Sequence, residues 1–263
     1  MRQLVSEAML RQFLPGIYLV VILHLLTACV TINKSQSSAE EKSENYVTLG
    51  MEYFQQGRLE SALANLKKGI QYNPDSYVGN AMLALIYEKL DRDDEADAYY
   101  HKAIDVVSDD SHEFGSIHNN YASFLCSMGR LDEAGQHYRK AYEHTLYQTP
   151  EVALENGGLC YQQHNDLVTA EGYFRLALKK NPKMPQSLLA MAQLSFDMKR
   201  YMQGRAFIQR YHEMQEDSVA ESLLLAIRIE KALGDKASEK KYTDLLKSRF
   251  PDSSQAALLV DLE

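Results

Sequence analysis

The sequence predicts an all-α fold, a right-handed superhelical solenoid of six helix-turn-helix repeats, on three observations. A pattern of small and apolar residues returns about every 34 residues. Each copy changes face part-way along, as two successive helices would. The residues at the expected points of closest helix contact are small. In the first copy, 43–76, Tyr46, Leu49, Gly50 and Tyr53 share one helical face, and Ala62, Leu66 and Gly69 share another. Gly57-Arg58 marks the turn between the two helices, and Pro74 stops the second. Gly50 and Ala62 stand at repeat positions 8 and 20, where a larger side chain would hold the helices apart.

A hairpin of this kind cannot bury its own apolar face, so further copies are expected, and they follow. The copy 77–110 has Ala84, Tyr87, Ala96, Tyr100 and Ala103; 115–148 has Tyr121, Ala122, Leu125, Ala134, Tyr138 and Ala141. The copy 151–184 has Gly157, Gly158, Tyr161, Ala170, Phe174, Ala177 and Pro182. The last two, 185–218 and 219–252, hold the pattern less closely, through Leu188, Met191, Ala192, Gly204 and Ile208, then Leu225, Ala226, Ile229 and Tyr242, with Pro251 one residue late. Period and small-residue slots resemble the tetratricopeptide (TPR) repeat, a binding scaffold that does not by itself name a partner. Residues 253–263 remain as a C-terminal tail or cap.

The amino terminus reads as an address. Arg2 and Arg11 flank the apolar run Ile17–Leu26, which is short for a bilayer span and ends in Leu26-Thr27-Ala28-Cys29. That tetrapeptide resembles a bacterial lipobox, which implies a signal peptide over 1–28, cleavage before Cys29 and acylation of Cys29. An ordinary secretory peptide or an uncleaved anchor helix is the alternative. Glu7 is out of place in the positive flank, so Met9 is a second candidate start. Val30 stands where an Asp would retain such lipoproteins in the inner membrane, so the resemblance implies the outer membrane, with the solenoid in the periplasm. Residues 29–42, rich in Ser, Glu and Lys, read as a lipidated flexible tether that reaches at most about 45 Å.

The other two cysteines, Cys126 and Cys160, fall near the ends of neighbouring first helices. In an oxidising compartment they are a candidate disulfide; two small thiols filling the core are the alternative.

Little chemistry is visible. Net charge is −8, with charged residues spread along the helices, which argues against nucleic-acid binding. The eight histidines form no two-His ligand motif. Gly157-Gly158 fills a small-residue slot and lacks the rest of a phosphate loop. No enzyme activity, cofactor, metal or small-molecule substrate is expected.

In a TPR array the first helices line the partner groove. Val47, Met51 and Phe54 form an apolar stripe there at i, i+4 and i+7, and Val78, Ala81 and Leu85 continue it. Burial under the tether or a capping helix is the alternative. Asn120 and Asn156 both stand at position 6, as in TPR clamps for C-terminal carboxylates, but the cations such clamps need are missing: the corresponding residues are Ser116, Gln193 and Asp197.

Lipobox, tether, six repeats and paired cysteines together resemble the pilotin lipoproteins of type IV pili (PilF/PilW). The more particular wording is Tyr46-x-x-Leu49-Gly50, Asn119-Asn120-Tyr121-x-x-Phe124-Leu125-Cys126 and Glu155-Asn156-x-Gly158-x-Cys160. The resemblance implies a secretin subunit as protein partner and lipid contact through Cys29, with promotion of secretin localisation and multimerisation as the function. Adaptors for β-barrel assembly or for peptidoglycan-synthesis enzymes are the competing reading.

Overall fold

The computed structural model describes residues 38–214 and 219–259. The signal peptide, Cys29 and most of the expected tether lie outside these. All regular structure among the described residues is helical. The helices are α1 (38–55), α2 (Leu59–Tyr72), α3 (Tyr77–Lys89), α4 (Asp93–Val106), α5 (Phe114–Ser127), α6 (Leu131–Glu143), α7 (Pro150–Gln163), α8 (Leu167–Lys180), α9 (Pro185–Asp197), α10 (Tyr201–Met214), α11 (Ala220–Leu233), α12 (Lys236–Arg249) and the short α13 (Ser254–Ala257). They form six pairs, each an odd-numbered helix followed by an even-numbered one, in a repeat solenoid. The chain divides into two compact units at Val106–Val107, the first ending with α4 and the second beginning before α5. No described helix is long and apolar enough to cross a membrane.

Helix α1 starts at residue 38, so 38–42 of the segment read as tether belong to it. Those residues have no apolar period, but Ala, Glu and Lys are good helix formers and extend a helix already held by its packed end.

The small-residue slots are the core. At position 8, Ala84, Ala122, Ala192 and Ala226 are fully buried, as are Ala62, Ala96, Ala134 and Ala170 at position 20. A Cβ on Gly50 would stand 2.6 Å from the Leu66 side chain, and one on Gly158 2.6 Å from the Phe174 ring. Glycine at those two points therefore sets how closely the paired helices approach. The large side chains that fill the resulting layers, Leu66, Tyr100, Tyr138, Phe174 and Ile208, all stand at position 24 and are buried. Buried tyrosines keep a polar partner for the hydroxyl: Tyr100 donates to Glu88 at 3.0 Å, and Tyr138 bonds Ser123 at 3.2 Å.

Each pair closes by the same turn. Just past the first helix of each pair one residue takes positive φ: Gly57, Asp91, Gly129, Asn165, Lys199 and Gly234. The next amide then donates back to a carbonyl five residues earlier, as Arg58 to Tyr53 and Arg92 to Tyr87, both at 2.9 Å. This is a Schellman closure, which satisfies carbonyls that the helix end leaves orphaned. In the sixth pair the turn comes one residue late, at Gly234, which accounts for the late Pro251 and puts Leu246 rather than Leu245 in the buried slot.

Three of the six turns lack glycine, and Lys199, at φ 59°, is the least suited of the three. Lys199→Gly is expected to raise stability by about 0.5–1 kcal/mol, and Asn165→Gly by less, because Asn tolerates the left-handed region. Urea unfolding of the two variants against the parent measures the difference.

Candidate partner-binding groove

The candidate groove residues lie on α1 and α3 of the first unit, and the structure separates them. Val47 is 5% exposed, and its Cγ2 atom lies where a Cβ on Gly69 or Gly79 would meet it at 2.8 and 3.1 Å. The valine thus fills the space those glycines leave on α2 and α3, burial of a kind different from a covering tether or cap. Met51 and Phe54 are half-buried, as are Val78 and Leu85, and Ala81 is buried. The Phe54 ring receives the Lys89 ammonium at 5.8 Å.

Val47, Met51 and Val78 come together on a cavity of about 410 Å³ between α1 and the start of α3. Phe54, Ala81 and Leu85 do not line it. The rest of the wall is polar and includes Glu40, Ser43, Glu44 and Asp75. Ser76 forms the N-cap of α3, its side chain accepting from Gly79 N at 3.2 Å, and Asn73 accepts from the Asp75 amide at 3.1 Å, so the α2–α3 loop presents Asp75 in a fixed place. The acidic wall is not legible in the sequence, because Glu40 falls in the segment that reads as tether and Asp75 belongs to a loop.

The first helices of the second unit present a polar face with cross-links between neighbours. Asn156 donates to Asn119 at 3.0 Å, joining α7 to α5. Further along the same two helices, Cys126 and Cys160 lie at disulfide distance, alpha carbons 5.9 Å apart, and His164 Nε2 bonds the Cys126 carbonyl at 3.0 Å. Glu155 accepts from the amide and hydroxyl of Ser187 at 2.9 and 2.6 Å, which ties α7 to the first turn of α9. The Asn156 amide is thereby taken up by a neighbouring helix, a second reason beside the missing cations why a carboxylate clamp does not form here.

Histidines pair in the core. His118, 1% exposed, meets His137 Nδ1 to Nδ1 at 2.7 Å. Burial, then the neighbouring His137, hold the His118 imidazole down to about 3, so it is neutral. His137 therefore sits with His118, and no group of three ligating side chains among the described residues is placed to hold a metal ion. A larger cavity, about 640 Å³, lies against the second helices α6 and α8 beside Tyr142, Tyr161, Tyr173 and Arg139, and none of the groove candidates lines it.

Two stretches, 43–76 and 81–113, match models of the tetratricopeptide repeat. The chain is 31% identical to the type IV pilus assembly protein PilF of Pseudomonas aeruginosa over 233 residues, 87% of this chain and 90% of that protein. This chain belongs to the PilF/PilW family of TPR proteins of type IV pilus biogenesis. An uncharacterised protein of Haemophilus influenzae is 28% identical over 54% of the chain and 76% of its own length. The solved structure of P. aeruginosa PilF superposes with a TM-score of 0.72 at 29% identity, covering 86% of this chain and all of that one. PilW, described as a widely conserved type IV pilus biogenesis factor, gives 0.70 at 26% identity over 83% of this chain and 98% of its own. Fold and PilF/PilW membership are those of a non-catalytic scaffold whose partners are proteins of the pilus pathway.

Proposed function

We propose that this chain is an outer-membrane lipoprotein, anchored through acylated Cys29, that binds secretin subunits and promotes their localisation and multimerisation. The similarity to PilF over nine-tenths of that protein carries the reading; secretin and lipid come from the pilotin resemblance. The mechanism is passive. Acyl chains confine the scaffold to a membrane surface, and the groove of the first unit then meets subunits at a raised effective concentration. A shared address orients what is captured, and no bond is made or broken.

Met51 and Phe54 are the half-exposed apolar residues of the stripe, so they are available for capture where Val47 is held in the core. Met51→Ser/Phe54→Ser is expected to lower secretin multimers in outer-membrane fractions at least about tenfold, the cost of losing one or two anchor side chains. Helicity should be unchanged, since neither residue fills a layer. Multimers at the parental level in a strain carrying the variant would place capture elsewhere. Cys29→Ser is expected to move the protein into the soluble fraction.

A further inference from the structure

We infer that the cavity between α1 and α3 takes a lysine or arginine side chain, flanked by apolar residues, from the captured polypeptide. The inference deepens the proposed function and rests on its claim that this groove captures a polypeptide. It does not depend on that polypeptide being a secretin.

Four observations combine. The floor is apolar, made by Val47, Met51 and Val78, and suits the methylene stem of a long cationic side chain. The wall carries three carboxylates, Glu40, Glu44 and Asp75, and no lysine or arginine. Glu44 and Asp75 are exposed and enter no ion pair among the described residues. Asp75 also stands beside Ser76, the N-cap residue of α3, so it is held at the cavity mouth.

The fourth observation points to a ligand directly. Ser43 is 2% exposed and lines the cavity, yet its hydroxyl has no hydrogen-bond partner. A buried hydroxyl left alone is costly, and rotation about its Cα–Cβ bond would let its oxygen accept from an ammonium or guanidinium N–H in the cavity. A bare metal ion is a poorer occupant: these carboxylates are not grouped to ligate one, and an ion would leave the apolar floor uncovered. In a chain of net charge −8 the field also favours a cationic visitor.

The test is selection of short random peptides displayed on phage against the full chain purified in detergent. Enrichment of peptides with Lys or Arg beside aliphatic residues is expected, and Glu44→Lys/Asp75→Lys should abolish it. The best enriched peptide, measured by fluorescence anisotropy, should bind Glu44→Gln/Asp75→Asn about tenfold more weakly, the sum of two modest charge contacts. Its affinity for the parent should fall with added salt. Ser43→Ala should melt no lower than the parent and still bind less tightly, a combination that loss of structure would not give. Enrichment without basic residues, no enrichment, or equal enrichment by the charge-reversed variant would overturn the inference. So would a photo-crosslinker at Thr48 that joins the chain to itself, which would give the cavity to its own segment or a second copy. Secretin multimers insensitive to Met51→Ser/Phe54→Ser would refute the proposed function instead, and leave the peptide result standing.

Discussion

Removing the Cys126–Cys160 link, by Cys126→Ala/Cys160→Ala or by reduction, is expected to cost the second unit about 4 kcal/mol of stability. The two residues are 34 apart in sequence, and closing a loop of that length removes roughly this much conformational freedom from the unfolded chain. The packing change is small by comparison, since both positions are buried and alanine is only slightly smaller than cysteine. For a unit of this size the melting temperature should fall by about 10 °C. In a repeat array the loss should also be local. Amide exchange should therefore speed up mainly in α5 and α7, where the Asn119–Asn156 and His164–Cys126 hydrogen bonds flank the sulfurs. Protein recovered under oxidising conditions should show no free thiol at either position by mass spectrometry. Two free thiols, or a melting temperature unchanged by reduction, would reduce the pair to close neighbours in a core.

Why the sulfurs meet is legible in the sequence, because the repeat puts neighbouring first helices side by side and both cysteines fall near their ends. The same applies to the small slots. Alanine and glycine at positions 8 and 20 are a steric demand of paired helices, and a steric demand leaves its mark on residue type. The turns are legible only in part. Gly57, Gly129 and Gly234 announce a positive φ, whereas Asp91, Asn165 and Lys199 adopt it because the Schellman closure imposes it, and no property of lysine signals that. The start of α1 was hidden for a related reason. A segment of Ser, Glu and Lys has no apolar face to read, yet it costs little to extend a helix once packing has nucleated it.

Site residues were legible by type but not by fate. The spacing of Val47, Met51 and Phe54 identified one helical face. Which of them stays available was decided by Gly69 and Gly79, residues of other helices whose missing side chains let Val47 sink into the core. The acidic wall needed the fold itself, since Glu40 and Asp75 meet only after a whole helix pair has closed.

Below pH 6.5 the second unit is expected to lose stability steeply, and two histidines should account for most of the slope. His118 is held down to about 3 by burial, then by His137, Lys140 and His144; His212 is held down to about 4 by burial and then by Lys241. Both start from an ordinary value of 6.5. The sign follows from which state binds the proton. Above 6.5 neither state takes it up, so these groups make no pH-dependent contribution. Between 6.5 and the depressed value the unfolded chain is protonated and the folded one is not, so each group withdraws about 1.4 kcal/mol per pH unit. At pH 4.5 the two together should remove roughly 5 kcal/mol, several times the effect of an ordinary surface substitution. The charged and aromatic surroundings of His118 come from two helices and a loop: Phe114 on its own helix, His137 and Lys140 on α6, and His144 just past α6. In the Nδ1–Nδ1 contact one ring donates and the other accepts, so the pair cannot keep it once both imidazoles are protonated. His118→Gln should flatten the slope of unfolding free energy against pH by about 1.4 kcal/mol per unit, whatever it does to stability at pH 7.5. A proton NMR titration supplies the direct check: the His118 ring signals should stay unshifted down to pH 4.5. A His118 midpoint near 6.5 would mean that water reaches the pair and that the acid sensitivity arises elsewhere.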